Sequence, residues 1–334
     1  MKAKSRARYI IAALALAVLI MALVCLFVGA SRMSFSDGVA ALFGKGSAAN
    51  VRILRSIRVP RVLAALIAGA ALSVSGLVMQ TMLSNAMASP STMGVSNAAV
   101  FGANLSIIVF AGGFLSTGNN LASYTAGVNP FAASVTAFLF SALSILLILA
   151  LCRVKAFSPN VVVLAGIAVG AIWTAATTLL QFYATDVGLS AAVVWNFGDL
   201  GRATYKTDLL MLCAGAPGLA VFSALAWRYN ALLSGDAAAG SMGVNVSRLR
   251  FFSLLLASLM TAACVSSLGI IGFVGIICPH VAKRLLGQDH RVSIPASALL
   301  GSLLLLCAAA LSRSLTSGRA LTVGAITSLL GAPF

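Results

Sequence analysis

The chain has 334 residues and a formal charge of +16, yet only 8% of its residues are charged and 60% are hydrophobic. A soluble domain holds about a quarter charged residues, so this composition excludes a soluble globular protein. The apolar runs reach roughly 18 residues or more without alternating, which excludes a membrane barrel and leaves helices, the form that pairs every backbone group internally in lipid.

The chain opens on Lys2, Lys4, Arg6 and Arg8, followed by an apolar run from Tyr9 to about Ala30. The run is longer than a usual signal-peptide core, and no small-x-small site introduces a soluble domain. It reads as a first membrane helix with its basic start in the cytoplasm. Next comes RILRSIRVPR, with Arg52, Arg55, Arg58 and Arg61 three apart and no acid among them. Further spans are expected at about 61–82, 93–112, 129–152, 160–184, 207–227, 249–268, 269–286, 293–312 and 321–334, giving ten crossings with both termini inside. Gly269, Gly272, Gly275 and Pro279 interrupt the eighth of these. The last is short, since fourteen residues rise only about 21 Å.

One crossing separates the arginine run from the N-terminus and places it outside. Of the 22 lysines and arginines, this topology puts twelve inside, Lys155 among them. The ten outside are Arg32, Lys45, Arg52, Arg55, Arg58, Arg61, Arg202, Lys206, Arg313 and Arg319. The positive-inside bias is weak, so insertion alone does not explain the external charge. The four arginines are either headgroup anchors or a docking surface for an acidic partner, a role suited to the planar guanidinium fork.

There are six acids, all aspartate: Asp37, Asp186, Asp199, Asp208, Asp236 and Asp289, placed in connections or at helix ends. With no carboxylate in mid-membrane to relay protons or bind ions, a self-powered carrier is disfavoured and the energy source is expected on another subunit. No GxxxxGK[ST] loop is present, so this chain is not the ATPase. Cys25, Cys152, Cys213, Cys264, Cys278 and Cys307 lack CxxC spacing and read as buried thiols. His280 and His290 stand without an acid or cysteine cluster, so no metal site is expected. The basic charge reflects lipid and charged partners rather than nucleic acid.

Two further patterns carry function. Between Arg228 and Arg250 lies SGDAAAGSMGV, where Ser234 and Asp236 can cap a helix start and Gly243 suits its end. In the fifth span, Thr174, Thr177, Thr178 and Gln181 share one face, either as glue between helices or as lining of a path. Ser73, Gly76 and Gln80 make a thinner stripe in the second span, and Asn97 and Asn104 are seven apart in the third.

Six stretches, in order and covering nearly the whole chain, resemble one family. They are RVPRVLAALIAGAALSVSGLVMQ (58–80), NAMASPSTMGVSNAAVFGA (85–103), LAGIAVGAIWTAATTLL (164–180), LLSGDAAAGSMGVNVSRLR (232–250), GIIGFVGIICPHVAKRLLGQDHR (269–291) and TVGAITSLLGAPF (322–334). The family is the FecCD/BtuC-type permease, the membrane subunit of ATP-driven importers for iron–siderophores, haem and cobalamin. This chain differs in having Ala86 where the family usually has proline. GRALTVG (318–324) lacks the usual Glu-Leu-Pro, and the chain stops at Phe334 where the family continues for about ten residues.

The resemblance implies an all-α integral membrane protein of the type II ABC importer architecture. It would form a single permease domain over 1–334, with a cytoplasmic coupling loop at about 228–248. It implies that Arg58, Arg61 and Arg313 dock a binding protein. Ser234, Gly235, Asp236, Ala237, Ala238, Ala239, Gly240, Ser241, Met242 and Gly243 would form the coupling helix, seated in a groove of the ATPase by its small side chains. Thr174, Thr177, Thr178 and Gln181 would line the translocation path. The expected assembly is two copies of this chain, two ATPase subunits carrying ATP and Mg, and one extracytoplasmic binding protein, in the inner membrane of a bacterium. The chain itself would hold no cofactor and catalyse no reaction. It would pass a metal chelate, iron–siderophore ahead of haem and cobalamin, by alternating access. The rivals are a self-contained carrier or channel, and a polytopic enzyme.

Overall fold

The computed structural model describes residues 2–27, 35–111, 129–153, 158–314 and 321–333. Arg32, Lys155, Arg319 and Phe334, and the start of GRALTVG at 318–320, lie outside the described residues. Among the described residues every regular element is helical, and the bridge between Phe197 and Ile270 is isolated. The helices in chain order are α1 (Lys2–Phe27), α2 (Phe35–Leu42), α3 (Ala48–Ile53), α4 (Val59–Met82), α5 (Val95–Asn104), α6 (Pro130–Arg153), α7 (Pro159–Phe182) and α8 (Asp186–Asn196). They continue with α9 (Tyr205–Ala224), α10 (Ala226–Leu232), α11 (Asp236–Ser241), α12 (Val246–Leu268), α13 (Val274–Leu286), α14 (His290–Ser314) and α15 (Val323–Gly331).

Each of the ten expected spans coincides with a helix. Among the described residues, seven helical stretches are long and apolar enough to cross a bilayer: α1, α3 through α4, α6, α7, α9, α12 and α14. The other three are shorter. α5 gains a wide π turn at Leu105–Phe110, whereas α13 and α15 rise only about 20 and 14 Å. Gly269 at φ +82° ends α12, and Phe273 at φ +64° precedes α13. Residues 269–273, expected inside the eighth span, are therefore an irregular break. The second span begins earlier than expected. A π turn at Leu54–Arg58 joins α3 to α4, giving 35 helical residues from Ala48 to Met82 that include all four arginines.

The helix starts follow from short polar side chains that take orphan backbone donors. Ser47 accepts from the Asn50 N–H, Thr185 from Gly188 and Asn245 from Arg248, while Thr204 and Thr207 form a reciprocal box before α9. α2, α3, α8 and α10 were not expected; each is too short to leave a hydropathy signal.

The chain packs as two compact units, one of residues 1–77, 199–230 and 271–334, the other of 78–198 and 231–270. In the first, α1, α9, α13 and α15 pack on α14. Here α4 touches its neighbours backbone to backbone. A Cβ on Gly76 would stand 1.9 Å from the Gly275 carbonyl oxygen, and one on Gly69 would stand 2.4 Å from that of Gly301. Such small-residue contacts supply the van der Waals packing that drives helix association in lipid. In the second unit α5 packs on α6 and α7, and α6 on α12, around Ala103, Ile107, Ile108, Ala137, Trp195 and Val265. Four of the six free thiols are buried as expected; Cys307 is partly covered and Cys213 is exposed.

Candidate functional site

The coupling-loop candidate is the short helix α11. Gly235, at φ +97°, is its N-cap and no side chain caps it, so neither Ser234 nor Asp236 plays the capping part read from the sequence. The far end is as expected. Gly243 at φ +82° donates to the Gly240 carbonyl and Val244 to that of Ala239, a Schellman closure. Only Ala239 is buried. Ser234, Gly235, Asp236, Ala237, Gly240, Ser241, Met242 and Gly243 are exposed, and Ala238 is half-covered. Nothing lies within 4 Å of a Cβ placed on Gly235, Gly240 or Gly243. The helix is an exposed, low-relief face.

Asp236 turns back from that face. Both its carboxylate oxygens accept from Arg250 Nη2 at 3.0 Å. Arg250, itself only 3% exposed, also donates through Nε to the Met82 carbonyl at 2.7 Å. Sequence reading missed Arg250 because its partners lie 14 and 168 residues away.

The path candidates lie on α7, but its threonines do not form one surface. Thr177 is buried, while Thr174 and Thr178 are exposed and Gln181 is half-covered. Thr174, Thr177 and Thr178 each donate to the carbonyl four residues back, at Gly170, Trp173 and Thr174. Their hydroxyl protons thus stay on their own helix. One contact reaches another helix. Asn97 Nδ2 on α5 donates to Thr174 Oγ1 at 3.0 Å and to the Gly170 carbonyl at 3.2 Å. Beside it opens a groove of about 550 Å³ lined by Ser91, Thr92, Gly94, Asn97, Gly166, Ile167, Gly170, Ala171, Thr174 and Ala175. Its walls carry hydroxyls and an amide but no formal charge. Asn104, the other asparagine of the pair, is fully buried, and its amide has no partner among the described residues.

The arginines gather at the end of α1. Arg58 is 4% exposed and donates through Nη1 to the carbonyls of Leu26 and Phe27 at 2.8 and 2.9 Å. Arg313, half-buried, donates to the Cys25 carbonyl at 3.2 Å and to that of Ala309 at 3.0 Å. Carbonyls of a last helical turn have no partner within the helix and carry its negative dipole end, so a guanidinium satisfies both needs. Arg61 and Arg313 line one small cavity of about 60 Å³ with Asp199, Gly201, Ser312 and Cys25. The Arg61 Nε is buried there without a hydrogen-bond partner among the described residues. Nearby, in the connection before α9, burial lowers the affinity of Arg202 for its proton, and Asp199 partly offsets this. Arg52 and Arg55 are exposed; Arg55 donates twice to the Leu42 carbonyl, at 3.2 and 2.9 Å.

Two further polar groups are buried at helix starts. Asp208 lies in the first turn of α9, a helix end as expected, but it is 3% exposed and neither oxygen has a partner among the described residues. The positive end of the helix dipole favours a carboxylate at that position. His290 is fully buried at the start of α14. Asn230 Oδ1 accepts from the His290 backbone N–H and lies 2.8 Å from its Nδ1, so Nδ1 carries the proton. Asn230 also donates to Asp289 at 2.6 Å. Burial alone would raise the Asp289 pKa. Donation from Asn230 and the Arg291 N–H, with the charges of Arg291 and His290, holds it below the usual carboxylate range.

Known proteins resemble this chain over nearly its whole length. The sequence profile of the FecCD transport family matches residues 16–334. The hemin transport system permease protein of Yersinia pestis is 36% identical over 279 residues, 84% of this chain and 80% of that one. The iron(3+)-hydroxamate import system permease protein of Bacillus subtilis is 31% identical, covering 100% of this chain and 97% of its own. The solved structure of a transporter described as of the metal-chelate ABC type, in an inward-facing conformation, superposes with a TM-score of 0.83 at 26% identity, over 98% of this chain and 97% of that one.

Proposed function

Because the chain belongs to the FecCD transport family and is a multi-pass ABC transporter permease, we propose that it is the membrane-spanning half of a binding-protein-dependent importer of a metal chelate. The near full-length likeness to a metal-chelate ABC transporter carries this reading. The chain forms one permease domain in a bacterial inner membrane, with both termini in the cytoplasm, and pairs with a second copy. The exposed face of α7, with Leu164, Ile167, Ile172, Leu179 and Phe182 uncovered, supports such pairing. Two ATPase subunits seat on α11, whose small exposed residues suit close approach.

Arg61 and Arg313, which line one cavity, take carboxylates of an extracytoplasmic binding protein. Arg58 adds charge from behind while it holds the end of α1. Thr174, with Asn97 beside it, belongs to the wall of the path, and Thr178 and Gln181 extend that wall along α7 while Thr177 supports it from the buried side. A polar, uncharged wall suits a bulky chelate that must not stick. The cargo is an iron–siderophore first, with haem and cobalamin behind. The relatives named for hydroxamate and for hemin import support both of the first two choices.

A self-contained carrier is the rival. Co-expression of the chain with its ATPase and binding protein separates the two. The importer reading expects one complex on a size-exclusion column and binding of a single chelate by the soluble partner, among ferric hydroxamate, haem and cobalamin. A permease that imports chelate alone, with no ATPase associated, contradicts it.

A further inference from the structure

We propose that Arg250 is the positioning residue that hands movement of the coupling helix α11 to the wall of the polar groove. The inference rests on the importer reading, in which α11 meets the ATPase.

One connected series of contacts runs from α11 to the groove inside a single compact unit. Asp236 opens α11, and both its oxygens are held by Arg250. The same guanidinium donates through Nε to Met82, the last residue of α4. Past Met82 the chain turns sharply. Ser84 adopts φ +48°, Ser84 N–H donates to Thr81 and Asn85 N–H to Gln80, so α4 closes on its own last turn. That closure leaves the Met82 carbonyl for Arg250.

The connection that follows, 83–94, is cross-braced. Asn85 accepts from the Met87 N–H, Ser89 N–H donates to Thr92 Oγ1, and Thr92 donates to both the hydroxyl and the carbonyl of Ser89. A braced connection passes displacement along instead of absorbing it. It ends in a notch of α7. A Cβ on Gly94 would stand 2.7 Å from the Gly170 Cα and 3.0 Å from the Gly166 carbonyl oxygen, leaving no slack between the turn and α7. Asn97, three residues on, ties α5 to Thr174. The residues at this junction are those that line the groove of about 550 Å³.

Arg250 bonds both α11, through Asp236, and the start of this braced connection, through the Met82 carbonyl, and a guanidinium is suited to serve both. Its Nε and Nη2 point to different acceptors, whereas lysine offers a single ammonium point. Arg250→Lys therefore keeps the charge opposite Asp236 but not both tethers. Asp236→Asn keeps an acceptor oxygen for one hydrogen bond but removes the ion pair.

The test uses the complete complex with its ATPase and binding protein in proteoliposomes. It records ATPase co-purification, ATP hydrolysis and chelate imported per ATP hydrolysed. The expected result for Arg250→Lys is intact assembly, hydrolysis within about twofold of wild type, and import per ATP lowered about tenfold, in the range of residues that modulate coupling without touching ligand. Asp236→Asn is expected to lie between Arg250→Lys and wild type. A wild-type ratio in Arg250→Lys overturns the inference. So does a fall in import that only tracks the loss of assembled complex, because a purely structural role would give that. A wild-type complex that neither associates with nor stimulates an ATPase overturns the importer reading and this inference together. A fault confined to the variants' ratio concerns Arg250 alone.

Discussion

The helix α11 and the end of α1 are both candidate partner surfaces, and they are built in contrary ways. α11 has almost no charge to offer. Its one acid is drawn back to Arg250, and Ala237, Gly240, Met242 and Gly243 face outward, with open space around the two glycines. The end of α1 is surrounded by charge, but much of it is already engaged. Arg58 and Arg313 hold the carbonyls of Cys25, Leu26 and Phe27, and Arg58 is almost fully covered. Counting arginines in the sequence therefore overstates the charge free to meet a partner, because the last turn of a helix competes for the same donors. Small residues have no such competitor, so a run of them in a connection is a better guide to an open surface.

Six substitutions test these assignments. Gly240→Trp on α11 should have the largest effect. Folding stability should stay within about 0.5 kcal/mol, as for an open surface site. ATPase association should weaken by about 100-fold, which is roughly 3 kcal/mol. A pull-down with unchanged ATPase recovery would break the assignment of α11. Next, Arg61→Glu or Arg313→Glu should weaken binding-protein docking by roughly 2 kcal/mol or more, with the loss growing as salt is lowered. Surface plasmon resonance at two ionic strengths measures this.

Arg58→Ala should act chiefly on stability. Removing a charged donor from two carbonyls costs about 2 kcal/mol, while Arg52→Ala should stay within about 0.5 kcal/mol. Thermal unfolding in detergent compares the two. An Arg58→Ala variant that unfolds like wild type yet fails to dock would reverse the contrast. The smallest effect is at Asp289, whose pKa is depressed in the folded chain. Its contribution is full above the unfolded pKa of about 4 and is lost as pH falls through the lower folded value. The unfolding midpoints of wild type and Asp289→Asn should therefore differ at pH 6 and converge toward pH 3. A constant gap would place the effect elsewhere.

The sequence made all ten apolar segments legible, because hydropathy alone marks a stretch that lipid will accept. It also carried their order and the small-residue connection at α11. Of the three shorter helices, α15 was legible as short, whereas α5 and α13 were legible only as apolar. The break at 269–273 depends on backbone angles at Gly269 and Phe273 that hydropathy does not register. The threonine stripe was visible, yet its hydroxyls turned to their own helix, a choice that sequence spacing cannot separate from lining a path. Asn97 was noticed as one of a pair seven apart, and only the fold showed that it reaches Thr174 while Asn104 is buried. Arg250 left no local signal, since Met82 and Asp236 meet it only after folding.

The most direct measurement is chelate uptake by proteoliposomes that hold the assembled complex, supplied with binding protein. Hydrolysable ATP, a non-hydrolysable analogue and an ion gradient are offered one at a time. Uptake with hydrolysable ATP alone is the expected result. Uptake driven by the gradient without ATP, or by the permease without its ATPase, would contradict the assignment of this chain as an ATP-powered importer's membrane subunit.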